Sequence, residues 1–195
     1  MSNTIINELI KNNEYIKTCL SCKEKDKNSL SYLIKRNMSQ SDCIKLGNGY
    51  EKVLTDIIIS FSGLKNIKEK NKKGKKERDH LFIDETNMIV YYAELKGNIN
   101  LDTEKSMSTY MKCQDVVTEL KKEYPDYKIR WCLLGYRYLD NKEIPVTIKK
   151  KYSPIEYNLF GINDYLSMLN IEHKFTQETY NEFLNDIADT MFNNS

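Results

Sequence analysis

Asp79, Glu94 and Lys96 are the residues whose types and spacing could do chemistry here, and they lie toward the two ends of one segment, RDHLFIDETNMIVYYAELKGN. Two carboxylates brought together form a hard oxygen donor set suited to Mg²⁺, an ion that keeps several of its waters. A cation so held polarises a phosphoryl oxygen and lowers the pKa of a bound water, while a neighbouring ammonium orients that water and offsets charge developing on the phosphate. Hydrolysis of a phosphodiester is the reaction that such a set suits.

For these side chains to meet, the segment must be a β-hairpin. Apolar and β-branched residues rise to Ile83, the polar cluster Asp84-Glu85-Thr86-Asn87 turns the chain, and Met88 to Leu95 returns. On the second strand, alternation with period two puts Val90, Tyr92, Glu94 and Lys96 on one face and Ile89, Tyr91, Ala93 and Leu95 on the other. With the turn centred near residues 85 to 87, the partner of Asp79 falls within one residue of Ala93, so Asp79 comes alongside Glu94. Asp84 is too close to the turn to do so. His80, one residue from Asp79, faces away and reads as structural.

Flanking elements complete the frame. In LGNGYEKVLTDIIISFSG, Gly47 and Gly49 are expected to break the preceding structure, and Val53, Leu54, Ile57, Ile58 and Phe61 form a helix stripe ended by Gly63. Glu51 shares the edge of that stripe and is expected at the start of the helix, pointing toward the core. After the hairpin, Asp102 is an N-cap candidate for a helix whose stripe is expected to run through Met107, Tyr110, Met111, Val117 and Leu120, and an apolar strand follows over 129–135. Residues 1–45 read as polar and helical, with apolar positions at Ile5, Ile6, Leu9, Ile10, Leu30, Leu33 and Ile34. Beyond residue 136 there is a possible strand, then a helix, and finally an amphipathic helix over 176–192 with the stripe Tyr180, Phe183, Leu184, Ile187 and Met191.

At 195 residues the chain predicts a single domain over 1–195: a helical part over 1–45, a core over 46–136 and a C-terminal strand and helices over 137–195. Its net charge of +2 selects no class of partner, but residues 65–78 hold eight basic side chains and two acidic ones, a local +6. Such a cationic run, with Lys72, Lys73, Lys75, Lys76 and Arg78, could bind a phosphate backbone, and Lys149, Lys150 and Lys151 form a second, smaller basic cluster. Lysine supplies charge but little base discrimination. Of the five cysteines, Cys19 and Cys22 form a C-x-x-C with no second pair at zinc-site spacing, and no export signal favours disulfides. No segment approaches a membrane span, so the expected compartment is the cytoplasm.

Asp79 in RDHLF, Glu94-Leu95-Lys96 as an E-x-K, and Glu51 on the preceding helix together resemble the PD-(D/E)xK nucleases, which include most type II restriction endonucleases. Arg78 stands where that pattern has Pro. The α-β-β-α-β order over about residues 46–136 is similar to the core of that family. The resemblance implies an α/β fold with a restriction-endonuclease-like core, a mixed central sheet flanked by helices, plus added N- and C-terminal helices. It implies Mg²⁺ held by Asp79, Glu94, the Leu95 carbonyl and Glu51, with Lys96 assisting the attacking water. It further implies cleavage of double-stranded DNA at a short sequence, a homodimer, and a cognate DNA methyltransferase as genetic partner. The alternatives are a repair nuclease or junction resolvase on the same core, and a DNA-binding module without catalysis.

Overall fold

The computed structural model describes residues 3–18, 39–68, 77–153 and 155–192. The chain divides into two compact units, residues 1–61 with 172–195, and residues 62–171. The boundary falls near the end of the helix that carries Glu51, so the segment 46–136 is shared between the units. Leu30, Leu33, Ile34, Cys19 and Cys22 lie outside the described residues.

The first unit is helical: α1 (Asn3–Asn12), α2 (Glu14–Thr18), α3 (Gln40–Ser62, to residue 61) and, from the far end of the chain, α7 (Gln177–Phe192). Ser39 and Asp42 open α3 with reciprocal capping: Ser39 Oγ accepts from Asp42 N at 3.1 Å, and Asp42 Oδ2 accepts from Ser39 N at 3.4 Å. The helix then runs unbroken through Gly47 and Gly49, against the expectation of a break there. Close packing explains Gly49. A Cβ at that position would lie 2.6 Å from Met191 Sδ, so the missing side chain lets α3 and α7 approach. Tyr50, Val53, Leu54, Ile57 and Ile58 are buried on α3, and the α7 stripe Tyr180, Phe183, Leu184, Ile187 and Met191 is buried as the periodicity predicts. Between them Tyr180 Oη donates to Tyr50 Oη at 2.9 Å, which satisfies two phenols that would otherwise be costly to bury.

The second unit is built on a five-stranded mixed sheet in the order β1-β2-β3-β4-β5: β1 (Lys65–Asn66), β2 (His80–Asp84), β3 (Ile89–Lys96), β4 (Lys128–Gly135) and β5 (Leu159–Phe160). β1, β2 and β3 are antiparallel neighbours, whereas β3, β4 and β5 run parallel. The possible strand beyond residue 136 amounts to the two residues of β5. Between β3 and β4 the chain crosses over through α4 (Thr103–Glu123), capped as expected by Asp102, whose Oδ1 accepts from Lys105 N at 2.8 Å. After β4 come the short α5 (Val146–Lys149) and α6 (Ile162–Met168).

Which face α4 turns to the sheet is decided by the apolar cluster of Leu81, Ile83, Val90 and Tyr92 with Cys113, Val116, Val117 and Leu120. Each large aliphatic side chain fully buried there contributes roughly 1.5–3 kcal/mol. The stripe expected from Met107 and Met111 is therefore corrected: those residues are 48% and 49% exposed, and Ser106 and Cys113 are buried in their place. Their hydropathy suits a buried face, but they align with Gln114 and Thr118 on the outer face of the helix. The sheet's other face carries His80, which is buried, stacks on Tyr165 of α6 and places Nδ1 2.9 Å from its hydroxyl.

Candidate active site

The hairpin register fixes where the chemistry-bearing residues stand. His80 is opposite Ala93 and Leu81 opposite Tyr92, so the next step back along β2 sets Asp79 beside Glu94, as the turn position predicts. Asp79 Oδ2 accepts from the Leu95 main-chain N at 2.7 Å, which ties the carboxylate to the middle of the E-x-K. Both acids project to the face covered by α4. β4 supports β3 from its other edge, with Glu94 opposite Leu133 and Lys96 opposite Gly135. A Cβ on Gly135 would lie 2.8 Å from Ile99 Cδ1, so glycine is what permits the chain leaving β3 to pass over the end of β4.

Glu94 is fully buried, yet it is surrounded by donors. Lys96 Nζ lies 2.8 Å from Oε1. Lys112 Nζ, reaching down from α4, lies 2.8 Å from Oε1 and 2.7 Å from Oε2. Tyr92, two residues back on the same strand, donates its hydroxyl to Oε2 at 3.2 Å. The cluster holds two carboxylates and two ammonium groups, and this balance makes the burial of Glu94 tolerable.

Electrostatics distinguishes the members. Burial, and after it the Glu94 charge, push Asp79 up to about 6, against the lowering effect of the Leu95 N–H and the two lysines. Burial pulls the Lys96 ammonium down, but Glu94 and Asp79 outweigh it and the net displacement is upward, so Lys96 stays charged. Tyr92 is driven far above its usual value by burial and then by Glu94, which keeps it a donor. The Cys113 thiol, buried against the same group, is pushed up to about 12 by burial and Glu94 and stays protonated.

Two participants escaped the sequence reading. Lys112 was hidden because it flanks the buried stripe of α4, and the signal that could have found it is its place directly before Cys113 and four residues before Val116. The period of two puts Tyr92 on the face of Glu94 but does not by itself mark it as a donor. Its spacing of two from Glu94 was the available signal.

The remaining expected residues are placed as follows. Glu51 is half-buried in the middle of α3, in the helical unit, and not at a helix start, because the helix begins eleven residues earlier at Gln40. Arg78 donates Nη1 to Glu123 Oε2 at 2.8 Å and Nη2 to Glu119 Oε2 at 3.2 Å, so its guanidinium ties the start of β2 to the last turns of α4. Lys151 Nζ donates to Asn100 Oδ1 and to Leu101 O at 2.9 and 2.7 Å, Lys149 Nζ donates to Asn141 Oδ1 at 2.8 Å, and Lys150 is exposed. Lys72, Lys73, Lys75 and Lys76 lie outside the described residues.

Among the described residues no three His, Cys, Asp or Glu side chains gather where an ion could be held. Asp79 and Glu94 supply two carboxylates, with the Leu95 main chain already joined to the first of them. Two carboxylates are the donor type that Mg²⁺ takes, with water and phosphate oxygens filling its octahedron, but Lys96, Lys112 and Tyr92 already occupy the oxygens of Glu94. Among the described residues no helix is long and apolar enough to cross a membrane. No protein-family model, curated protein or solved structure matches this chain.

Proposed function

We propose that the protein is a Mg²⁺-dependent endonuclease of the type II restriction class, with a restriction-endonuclease-like core, hydrolysing both strands of double-stranded DNA at a short sequence. The observation that carries this reading is the convergence of Asp79, Glu94 and Lys96 at the open end of one hairpin, with Asp79 bonded to the main chain of the E-x-K itself.

Asp79 and Glu94 would hold the ion together with the Leu95 carbonyl. When bound, the ion supplies Lewis-acid stabilisation of the phosphate and an acidified water. Lys96 stays charged and sits at the edge of Glu94, 36% exposed, where it can orient the attacking water and meet negative charge on the scissile phosphate. Tyr92 and Lys112 bond the oxygens of the fully buried Glu94, so its carboxylate is positioned before substrate arrives. Affinity for the DNA backbone is assigned to Lys72, Lys73, Lys75, Lys76, Lys149, Lys150 and Lys151. Arg78 is left out of that set, because its charge is paired with the carboxylates of Glu119 and Glu123, whereas Lys149 and Lys151 bond only neutral oxygens. One active site per chain calls for a homodimer to cut both strands, and a host that carries such an enzyme needs a cognate methyltransferase to protect its own DNA. The place of action is then the cytoplasm.

Incubation of the purified protein with phage-sized duplex DNA and Mg²⁺, followed by end mapping, tests the reading. A fixed fragment pattern supports restriction, and preference for branched over ordinary duplex DNA turns the assignment to a resolvase or repair nuclease. A DNA-binding module without catalysis is favoured by one feature, the saturation of Glu94 by protein donors. Binding without cutting on any substrate would establish it.

A further inference from the structure

We infer that Lys112 occupies the metal position of this site and must leave Glu94 before a divalent ion can bind there. The inference rests on the nuclease reading above and deepens it. A carboxylate offers about four lone-pair sites. At Glu94 all are engaged: Lys112 reaches both oxygens, Lys96 takes Oε1 and Tyr92 takes Oε2. An ion that ligates Glu94 has to displace one of these donors.

Geometry selects Lys112. Its ammonium lies at 2.7–2.8 Å from both oxygens at once, as a cation bridging a carboxylate does, whereas Lys96 and Tyr92 each reach a single oxygen. Lys112 is also the donor that comes from a different element. Tyr92 and Lys96 share the strand with Glu94, but Lys112 hangs from α4 on a four-carbon stem, 29% exposed, and can swing toward solvent without moving the sheet. The exchange has a functional consequence. A displaced ammonium needs a new counter-charge, and a DNA phosphate arriving at the site offers one, so metal and substrate favour each other's binding. Lys112 is thus a positioning residue that keeps Glu94 ordered and balanced while no ion is present.

Isothermal titration of the full chain with Mn²⁺, without DNA, tests this. Lys112→Met is expected to bind Mn²⁺ on the order of tenfold tighter than the unaltered protein, the scale of one competing charge-assisted hydrogen bond. Lys112→Gln, which keeps a neutral donor, is expected to gain less and carries the measurement if the Met variant does not fold. Glu94→Gln should remove the binding. Lys105→Met deletes the same charge on the same helix from a residue that pairs with Asp102, and should leave affinity unchanged. Binding that depends on Glu94 but is equal or weaker in both Lys112 variants overturns the inference and leaves the nuclease reading intact. An equal gain in Lys96→Met overturns it too, since the effect would then be one of net charge. Mn²⁺ binding that is absent throughout, or indifferent to Glu94→Gln, overturns the nuclease reading and the inference with it.

Discussion

Asp79, just before β2, and Asp84, its last residue, are the same residue type in opposite circumstances. Asp84, at the turn, accepts from Asn87 N at 2.9 Å and from Asn87 Nδ2 at 2.7 Å, and these bonds hold its carboxyl below the usual range. Asp79, at the open end, is pushed up to about 6 by burial and by Glu94. One is a carboxylate near the surface whose two oxygens the turn already engages. The other is a buried acid facing a second acid, and the Leu95 N–H and two nearby lysines offset only part of that cost. Distance from the turn separates the two roles, because only five residues back from Asp84 does the ladder bring a strand residue level with Glu94.

The comparison breaks most severely if the open end is inert. Glu94→Ala and Lys96→Ala are each expected to lower Mg²⁺-dependent cleavage by at least about 10²- to 10³-fold, the scale of removing one group that stabilises developing charge. DNA binding in Ca²⁺ should persist. Single-turnover cleavage beside a gel shift reads both quantities, and undiminished cutting by either variant removes the open end as the reaction centre.

Asp79→Asn sharpens the contrast through pH. A carboxyl whose folded value lies above its unfolded value stabilises the fold in its protonated form, and that contribution is present below about pH 4 and lost as pH rises through about 6. A displacement from 3.8 to about 6 corresponds to at most about 3 kcal/mol. The Asn variant should abolish cleavage, and in EDTA its stability relative to the unaltered protein should increase between pH 4 and 6. Urea melts across that window measure it, and parallel curves for the two proteins would place Asp79 in an ordinary environment.

Much of this contrast was legible in the sequence because strands have a period of two and hairpins fix register by counting. The pairing of Asp79 with Glu94, the face shared by Glu94 and Lys96, the Asp102 cap and the buried stripe of α7 all follow from such counting. Helix rotation was less legible. On α4 the hydropathy of Met107 and Met111 pointed to the wrong face, since a helix is turned by the best fit of its whole stripe and Cys113, Val116 and Leu120 fit better. Lys112 was lost with that rotation. On α3 the glycines suggested a break, and only the approach of Met191 explains why Gly49 sits inside a helix. A contact between distant segments leaves no local pattern to count.

Arg78 separates charge that binds from charge that builds. Placed in a basic run, it reads as a phosphate contact, but its bonds to Glu119 and Glu123 hold the entry of β2 against α4. Arg78→Ala is therefore expected to cost about 1 kcal/mol of stability, the upper range for such partly exposed pairs. It should leave the salt dependence of DNA affinity unchanged, where loss of a phosphate contact would flatten the slope by about one. Binding isotherms at several salt concentrations distinguish the two roles.

The smallest effect belongs to the turn. Asp84→Asn keeps one oxygen that can still accept from Asn87 N, and loses both the charge and the second oxygen, which accepts from Asn87 Nδ2. Because the folded value of Asp84 lies below its unfolded value, the aspartate contributes stability above about pH 4 and loses it as pH falls, the reverse of Asp79. The group is open to solvent, so the difference between aspartate and asparagine should stay under about 1 kcal/mol at neutral pH and vanish in acid. Cleavage should be unaffected. The same melts that follow Asp79→Asn then give two curves of opposite slope from one strand, and a cleavage defect in Asp84→Asn would move the reactive acid to the turn and undo the register argument for Asp79.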